Sequence, residues 1–405
     1  MRSVGRWARG KLHYYGIRHE CAAAFAASAY GKLTNKPAAF LTIVGLGATN
    51  LLTGMWDAKV DRAPILALTG QVQTQVFGTG AFQDVDLGSV FQAVAKFPQP
   101  VLSASKHAEL VSLAMNTALV ERDVAHLVFP DDDIQTNPSD AQAAGPVGRM
   151  GGDSLVLAEA DLAAAAEMIG TAKRPMIFIG HGAVEARDAI IAFAEALGAP
   201  VVTTFKAKGL IADTHPNAAG VLGRFGTPIA SCFMNEADLI IALGSSFSNH
   251  TGTEASKPII QVDFERMQLG KFHGVDLPVW GELAAFCAAM APRITRPADA
   301  VDQLPELAER WDIWRRENIA RMAEQTEKGI HSYAVFEAQG RLAPEDAIFA
   351  VDVGNNTYSF GRYLQTKGNQ RVLMSGCLGP SGLGFQPERA HGQRRRILRN
   401  TRVAR

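Results

Sequence analysis

Short apolar runs, each closed by glycine, proline or an acid, recur along the chain and alternate with helical patterns. In the first third the runs are Ala39 to Val44, Pro64 to Gly70 and His126 to Pro130. An alanine-rich helix opens at Glu20 and runs through Ala29, and Lys32 to Pro37 after it is basic and turn-prone. Leu110, Leu113, Met115, Ala118 and Leu119 fall at helical spacing, which predicts an amphipathic helix over Ser105 to Arg122. Gln142 to Gly152 is glycine-rich and ends this first pattern. A second set follows: strands at Pro175 to Gly180, Pro200 to Phe205, Asp238 to Leu243 and Pro258 to Val262, and a helix over Val184 to Leu197. Strand and helix in alternation predict an α/β fold of parallel-sheet, doubly wound domains with helices on both faces.

Arg296 to Gly329 is charged and helical in pattern, with Leu307, Trp311, Trp314 and Ile319 on one side, and reads as a linker helix. A helix near Tyr333 to Arg341 and a strand over Ala347 to Val353 open a third segment, and the strand ends in Gly354-Asn355-Asn356-Thr357. Residues 386–405 hold seven arginines and no period of either kind, so this basic tail is expected to be disordered. The domain reading is 11–145, 150–292, a linker over 293–331, a partial domain over 332–385, and the tail.

Composition narrows the classes. A chain of 405 residues exceeds what one core sustains, so two or three domains are expected. Forty basic residues balance forty acidic ones, which leaves no global field to draw in nucleic acid or membrane. Cys21, Cys232, Cys287 and Cys377 lie far apart with no C-x-x-C pair, which argues against a disulfide framework or structural zinc and fits a reducing compartment. No run is long enough for a transmembrane segment, and the expected location is cytoplasmic.

The candidate chemistry begins at Glu20. By itself it reads as an acid complementing a helix N-terminus. Glu20, at the end of a short apolar run, and the Gly45-Leu46-Gly47 turn after the next strand sit where open α/β sheets place ligands. Asp131-Asp132-Asp133 is a solvated turn, because three adjacent acids cannot all face one ion. No metal-ligating set is assigned. In the second set Gly180-His181-Gly182 lacks the third glycine of a dinucleotide fingerprint. Thr204, Gly223, Gly244 and Asp263 also belong to strand-end or loop positions, which raises that signal to a candidate nucleotide site.

Three stretches carry a family resemblance. They are Arg18-His19-Glu20 leading into the alanine-rich helix, Gly45-x-Gly47-Ala48-Thr49-Asn50, and Ala63-Pro64 through Leu68-Thr69-Gly70-Gln71-Val72. Together they resemble the pyrimidine-binding domain of thiamine-diphosphate enzymes, on the pyruvate oxidase and acetolactate synthase branch. The resemblance implies a pyrimidine-binding domain, a central Rossmann-like domain and a partial diphosphate-binding domain. It implies Glu20 as the acid that hydrogen-bonds the cofactor's aminopyrimidine, from an apolar pocket that raises its pKa. It implies Phe82 and Gln83 facing the active site across a subunit interface, hence a homodimer or homotetramer. Asn50, Gly354, Asn355, Asn356 and Gly379 are implied at the thiamine diphosphate, and Gly180, Gly182, Thr204, Gly223, Gly244 and Asp263 at FAD or another nucleotide. The implied reaction is decarboxylation of a 2-oxo acid such as pyruvate.

The resemblance covers roughly Gly16 to Phe385, and the start and most of the third domain are expected to be missing. In Val372 to Phe385, Pro380 and Ser381 stand where the family pattern has Ser-Met. The family's Gly-Asp-Gly motif, which with a distant Asn holds Mg²⁺ and the diphosphate, occurs nowhere in the chain. Activity of the chain is therefore in doubt. The alternatives are a catalytically inactive remnant acting as a dimerising nucleotide-binding module and, less well supported, an enzyme unrelated to thiamine that uses the central domain as a dinucleotide site.

Overall fold

The computed structural model describes residues 14–102, 105–132, 148–152, 155–247, 251–254, 256–323, 329–376 and 397–399. The chain divides into two compact units, Met1–Gly152 with Ala350–Asp352 and Leu373–Arg405, and Asp153–Phe349 with Val353–Val372. Of the described residues read as a partial third domain, 353–372 group with the second unit and Ala350–Asp352 with the first.

The first unit is built on a four-stranded sheet in the order β1-β2-β4-β3, from β1 (Ala38–Thr42), β2 (Ile65–Gln71), β3 (Phe97–Pro100) and β4 (Val124–Pro130). All three pairings are parallel, with Ala38 opposite Ile65 and Ile65 opposite Val124. β3 has no strand signature, because Pro98 and Pro100 cannot donate to a ladder; it survives as an edge strand, where that loss is tolerated. Helices α1 (Glu20–Thr34), α2 (Leu52–Val60) and α3 (Leu87–Phe91) contribute to one face, whose core holds Phe40, Leu51, Met55, Ile65 and Phe91. Helix α4 (His107–Val120) covers the other, where Ala114 and Ala118 meet Leu66 and Leu127. The buried line of α4 is Ser112, Ala114 and Ala118, and Leu113, expected inside, is 52% exposed.

Helices α1 and α2 cross in backbone contact. A Cβ on Gly54 would lie 2.5 Å from Ala24 Cβ and 2.8 Å from Phe25 N, so only glycine permits the approach. Helix α1 outruns its expected end and carries Lys32 inside, where its ammonium lies 2.7 Å from Asp57 and 2.6 Å from Asp61. The basic, turn-prone stretch thus begins inside the helix, and two buried carboxylates are what retain the lysine in the core.

The second unit centres on a six-stranded parallel sheet in the order β10-β9-β8-β5-β6-β7. Its strands are β5 (Pro175–Ile179), β6 (Val201–Thr203), β7 (Ala218–Val221), β8 (Leu239–Leu243), β9 (Ile259–Asp263) and β10 (Leu277–Trp280). In chain order this is the 3-2-1-4-5-6 arrangement of a doubly wound dinucleotide fold, whose switch point falls between β5 and β8. α5 (Glu159–Thr171), α6 (Arg187–Leu197), α7 (Pro228–Glu236) and α8 (Leu283–Met290) complete the layers. β7 (AAGV) and β10 (LPVW) are only four residues long and interrupted by Gly220 and Pro278, which is why sequence periodicity passes over them.

The linker reading is realised as α9 (Leu304–Ala323). Leu307 and Trp311 are buried against the sheet face that carries Phe178, Val202 and Ala219, and Trp311 Nε1 donates to Ala218 O of β7 at 2.6 Å. Asn318, with no exposed surface, continues that line where Ile319 was expected; Ile319 is 55% exposed. Helix α10 (Ser332–Leu342), β11 (Ile348–Ala350), α11 (Asn355–Tyr363) and β12 (Arg371–Leu373) follow. Within the basic tail Ile397–Arg399 forms a short strand, β13, beside β11. No element was expected there; the open edge of β11 supplies the ladder that the sequence does not advertise.

Candidate functional site

The carboxyl end of the first sheet gathers the residues singled out around Glu20. Glu20 is the first residue of α1, capped by His19, whose Nδ1 accepts from Cys21 N at 3.3 Å. After β1 the chain turns through Gly45, at φ +66°, into a single helical turn, Leu46–Thr49. Asn50 closes that turn, and its Nδ2 donates to Glu20 Oε2 at 3.2 Å. A Cβ on Gly47 would stand 3.3 Å from Glu20 Oε1 and 2.5 Å from Ile43 Cγ2, so the bare backbone of Gly47 is the seat on which the carboxylate rests.

Gln83 joins them from the 78–86 loop. Its φ of +65° is left-handed and costs a non-glycine residue about 1 kcal/mol or more. That conformation lays Gln83 against Gly45, where a Cβ would meet Gln83 Cβ at 3.0 Å. The loop is pinned by Gly80 N donating to Asp84 Oδ2 at 3.2 Å and by Gln71 Nε2 donating to Val85 O at 2.6 Å. Phe82 does not join the group; its side chain is 89% exposed. Of the acidic turn, Asp132 accepts from Thr74 N at 2.9 Å, and no metal-holding group of acids, histidines and cysteines occurs among the described residues.

The electrostatics of Glu20 correct an expectation. Its carboxyl is held below the usual range, first by its own backbone N–H and next by Asn50, with His19 adding to both. The expected upward shift requires an apolar pocket, and Glu20 is only half-buried at an open helix terminus. As arranged here, the group is a hydrogen-bonded carboxylate.

Beneath this cluster lies a feature that sequence reasoning missed. Asp57 is fully buried and accepts from Lys32 Nζ at 2.7 Å and from Ser28 Oγ at 2.6 Å. Asp61 accepts from the Gly376 N–H at 3.0 Å. The cluster ties α1, which carries Glu20, to α2, which continues from Asn50. An alternating lysine and acid pattern gives no hint of burial, so only the alanine-rich face of α1 and Gly54 on α2 could have signalled the close helix approach.

In the second unit the glycine positions fall together at the switch point. Gly180 N donates to Leu243 O at 2.9 Å and Gly182 N to Gly244 O at 3.1 Å. A Cβ on Gly180 would lie 2.1 Å from Gly244 O, and Gly244 itself has φ +62°. Thr204 follows β6 and caps the next turn through Ala207 N, and Gly223, at φ +93°, follows β7. Asp263 ends β9 and accepts from Glu265 N at 2.8 Å. All six therefore line the carboxyl edge of one sheet, the edge where nucleotides bind in this topology.

Gly354, Asn355 and Asn356 form the exposed N-terminus of α11, with Gly354 N donating to Thr357 Oγ1 at 3.0 Å. A helix N-terminus of this kind suits a phosphate. Gly379 lies outside the described residues.

Comparison with known proteins adds the family. The model for the thiamine pyrophosphate enzyme N-terminal TPP binding domain matches residues 6–90, and that for the thiamine pyrophosphate enzyme central domain matches 162–290. YdaP of Bacillus subtilis (strain 168) is 34% identical over 384 residues, covering 94% of this chain and 66% of YdaP. An acetolactate synthase of Arthrospira platensis is 30% identical over 402 residues, covering 93% and 67% of the two chains. Pyruvate oxidase of Lactiplantibacillus plantarum is 27% identical over 386 residues, covering 93% and 63%. The chain thus spans about two thirds of the length of these relatives. With Glu20, Gly47 and Asn50 joined inside the matched N-terminal domain and a doubly wound sheet inside the matched central one, the chain belongs to the thiamine pyrophosphate enzyme family, among relatives of acetolactate synthase and pyruvate oxidase.

Proposed function

We propose that the chain contributes the pyrimidine-activating half of a thiamine-diphosphate-dependent enzyme that decarboxylates a 2-oxo acid such as pyruvate. The observation that carries this reading is the seating of Glu20 on Gly47, bound by Asn50 and flanked by Gln83. Thiamine diphosphate, when bound, would supply an electron sink for the electron pair left on the 2-oxo carbon as CO2 departs. Glu20 fits its aminopyrimidine end: a carboxyl at an open helix start can share a proton with a ring nitrogen. Gly47, lacking a side chain, leaves room for a flat ring to approach that carboxyl, and Gln83 borders the same opening. In the second unit, taken by itself, the N–H groups at Gly354 to Asn356 suit a phosphate. Among the described residues no group of three or more acids, histidines or cysteines is placed to hold Mg²⁺.

FAD or another adenine nucleotide is proposed for the central sheet, on the strength of its 3-2-1-4-5-6 order and its glycine-lined switch point. That observation equally favours a second reading, a catalytically inactive nucleotide-binding module that dimerises. A homodimer or homotetramer and a cytoplasmic location complete the proposal. Among the described residues no helix is long and apolar enough to cross a membrane.

Isothermal titration of the full chain with thiamine diphosphate and Mg²⁺, followed by a pyruvate decarboxylation assay, tests the enzyme reading. Binding that Glu20→Gln weakens, together with turnover that it abolishes, is the expected result. Uptake of FAD or ADP without either would favour the second reading.

A further inference from the structure

The family resemblance implies Asn50 at the cofactor, yet its amide is turned towards the acid. Its Nδ2 reaches Glu20 Oε2 at 3.2 Å, and the other carboxylate oxygen lies over Gly47. Both of its neighbours in this arrangement are fixed. Gly47 belongs to the turn closed by Asn50 N donating to Leu46 O at 3.2 Å, and α2 begins two residues later. Glu20 is fixed through α1, which meets α2 in backbone contact at Gly54 and is tied to it again by Lys32 and Asp57. Two helices locked at both contacts thus bring one amide N–H and one carboxylate together across the opening.

We propose that Asn50 is a positioning residue that holds Glu20 as a hydrogen-bonded carboxylate over Gly47, and that a ring nitrogen reaching Glu20 must take the place of this bond. The proposal rests on the thiamine reading for the identity of that ring, but the pairing itself belongs to the free chain. An amide N–H can only donate to the carboxylate, so it favours the ionised form. A ring nitrogen that takes the place of the Asn50 N–H as an acceptor requires the carboxyl to carry a proton taken up from solvent, so ligand arrival is coupled to the charge state of Glu20. The other groups bearing on the carboxylate are its own backbone N–H and His19, and both act in the same direction as Asn50, with desolvation opposing them.

The test is a carboxyl titration of the free full-length chain, followed by carbon NMR on glutamate-labelled protein, with Glu20→Gln identifying the Glu20 resonance. Asn50→Leu keeps the volume and removes the donor; Asn50→Ala removes both and covers the case in which leucine does not fit. The expected result is an upward move of the Glu20 midpoint in each variant that retains the wild-type melting curve. A midpoint unchanged in the variants overturns the proposal, because a merely structural Asn50 would not alter the titration. A second arm measures thiamine diphosphate binding with Mg²⁺ to the same proteins. If wild type binds none, the functional reading fails while the titration still decides the role of Asn50. If wild type binds and the Asn50 variants bind with unchanged pH dependence, the exchange step is wrong.

Discussion

His126 sits on β4 with no exposed surface, its Nε2 2.8 Å from Thr69 Oγ1 and its ring 4.3 Å from that of Phe91. Its Nδ1 has no hydrogen-bond partner, and burial pushes its pKa down to about 4. The folded state therefore resists a proton that the unfolded chain takes up near pH 6.5. Stability from this group is complete above about pH 6.5 and falls as pH drops towards 4, by roughly 3 kcal/mol at the limit. Urea unfolding of the first unit should show this slope in wild type and lose it in His126→Gln; an equal slope in the variant would assign it elsewhere. Gly47 offers a second residue-scale expectation. Gly47→Ala pushes on Ile43, which is half exposed and can turn away, and on Glu20, which is held. Thiamine diphosphate affinity should drop about tenfold or more, a loss of about 1.4 kcal/mol, with the melting temperature nearly unchanged. A variant that binds normally would remove Gly47 from the site.

At the scale of elements, glycine contacts and buried charge hold the pieces in register. Gly180→Ala would place a methyl 2.1 Å from Gly244 O, a clash with backbone that no rotamer relieves. Overpacking of this kind typically costs about 1–3 kcal/mol, and the rigid partner puts this case at the upper end. Lys32→Met would leave Asp57 and Asp61 buried without their ammonium, a loss of about 3–5 kcal/mol. Denaturant midpoints check both, and a neutral Lys32→Met would mean that the carboxylates take up protons instead. Elements of this kind also show what the sequence discloses. Apolar runs such as Ile65 to Thr69 and Leu239 to Leu243 declare themselves because parallel strands are buried on both faces. The turn glycines and Glu20 were legible through motif spacing. The strand at Phe97, the inward Lys32 and the charged state of Glu20 were not, since each depends on partners distant in sequence.

For the molecule as a whole, the second unit extends beyond its sheet through one buried junction. Asp213 Oδ2 accepts from Lys208 Nζ at 2.8 Å, Thr366 N at 2.8 Å and Thr366 Oγ1 at 2.9 Å. A Cβ on Gly209 would meet Gln370 O at 2.4 Å, and Phe205, Phe225 and Phe360 pack ring to ring beside it. This is why 353–372 travels with the central sheet and the expected third domain does not stand apart. Asp213→Ala strands a buried ammonium and should cost about 3–5 kcal/mol. Amide exchange should rise first over 364–370 and stay low in β5 and β8; uniform acceleration would show that the junction is not a seam.

The order of strands also governs how the chain can assemble as it leaves the ribosome. In the sheet β10-β9-β8-β5-β6-β7 the first strand made, β5, ends at the centre. β6 and β7 then add outward on one flank, and β8, β9 and β10 on the other, so every newcomer finds a free edge. The sheet β1-β2-β4-β3 grows differently, because β4 must enter between β2 and the earlier-made β3. β3 has no neighbour until β4 emerges, and nascent chains ending between Pro100 and Val124 would hold that segment unpaired while synthesis proceeds at about 5–20 residues per second.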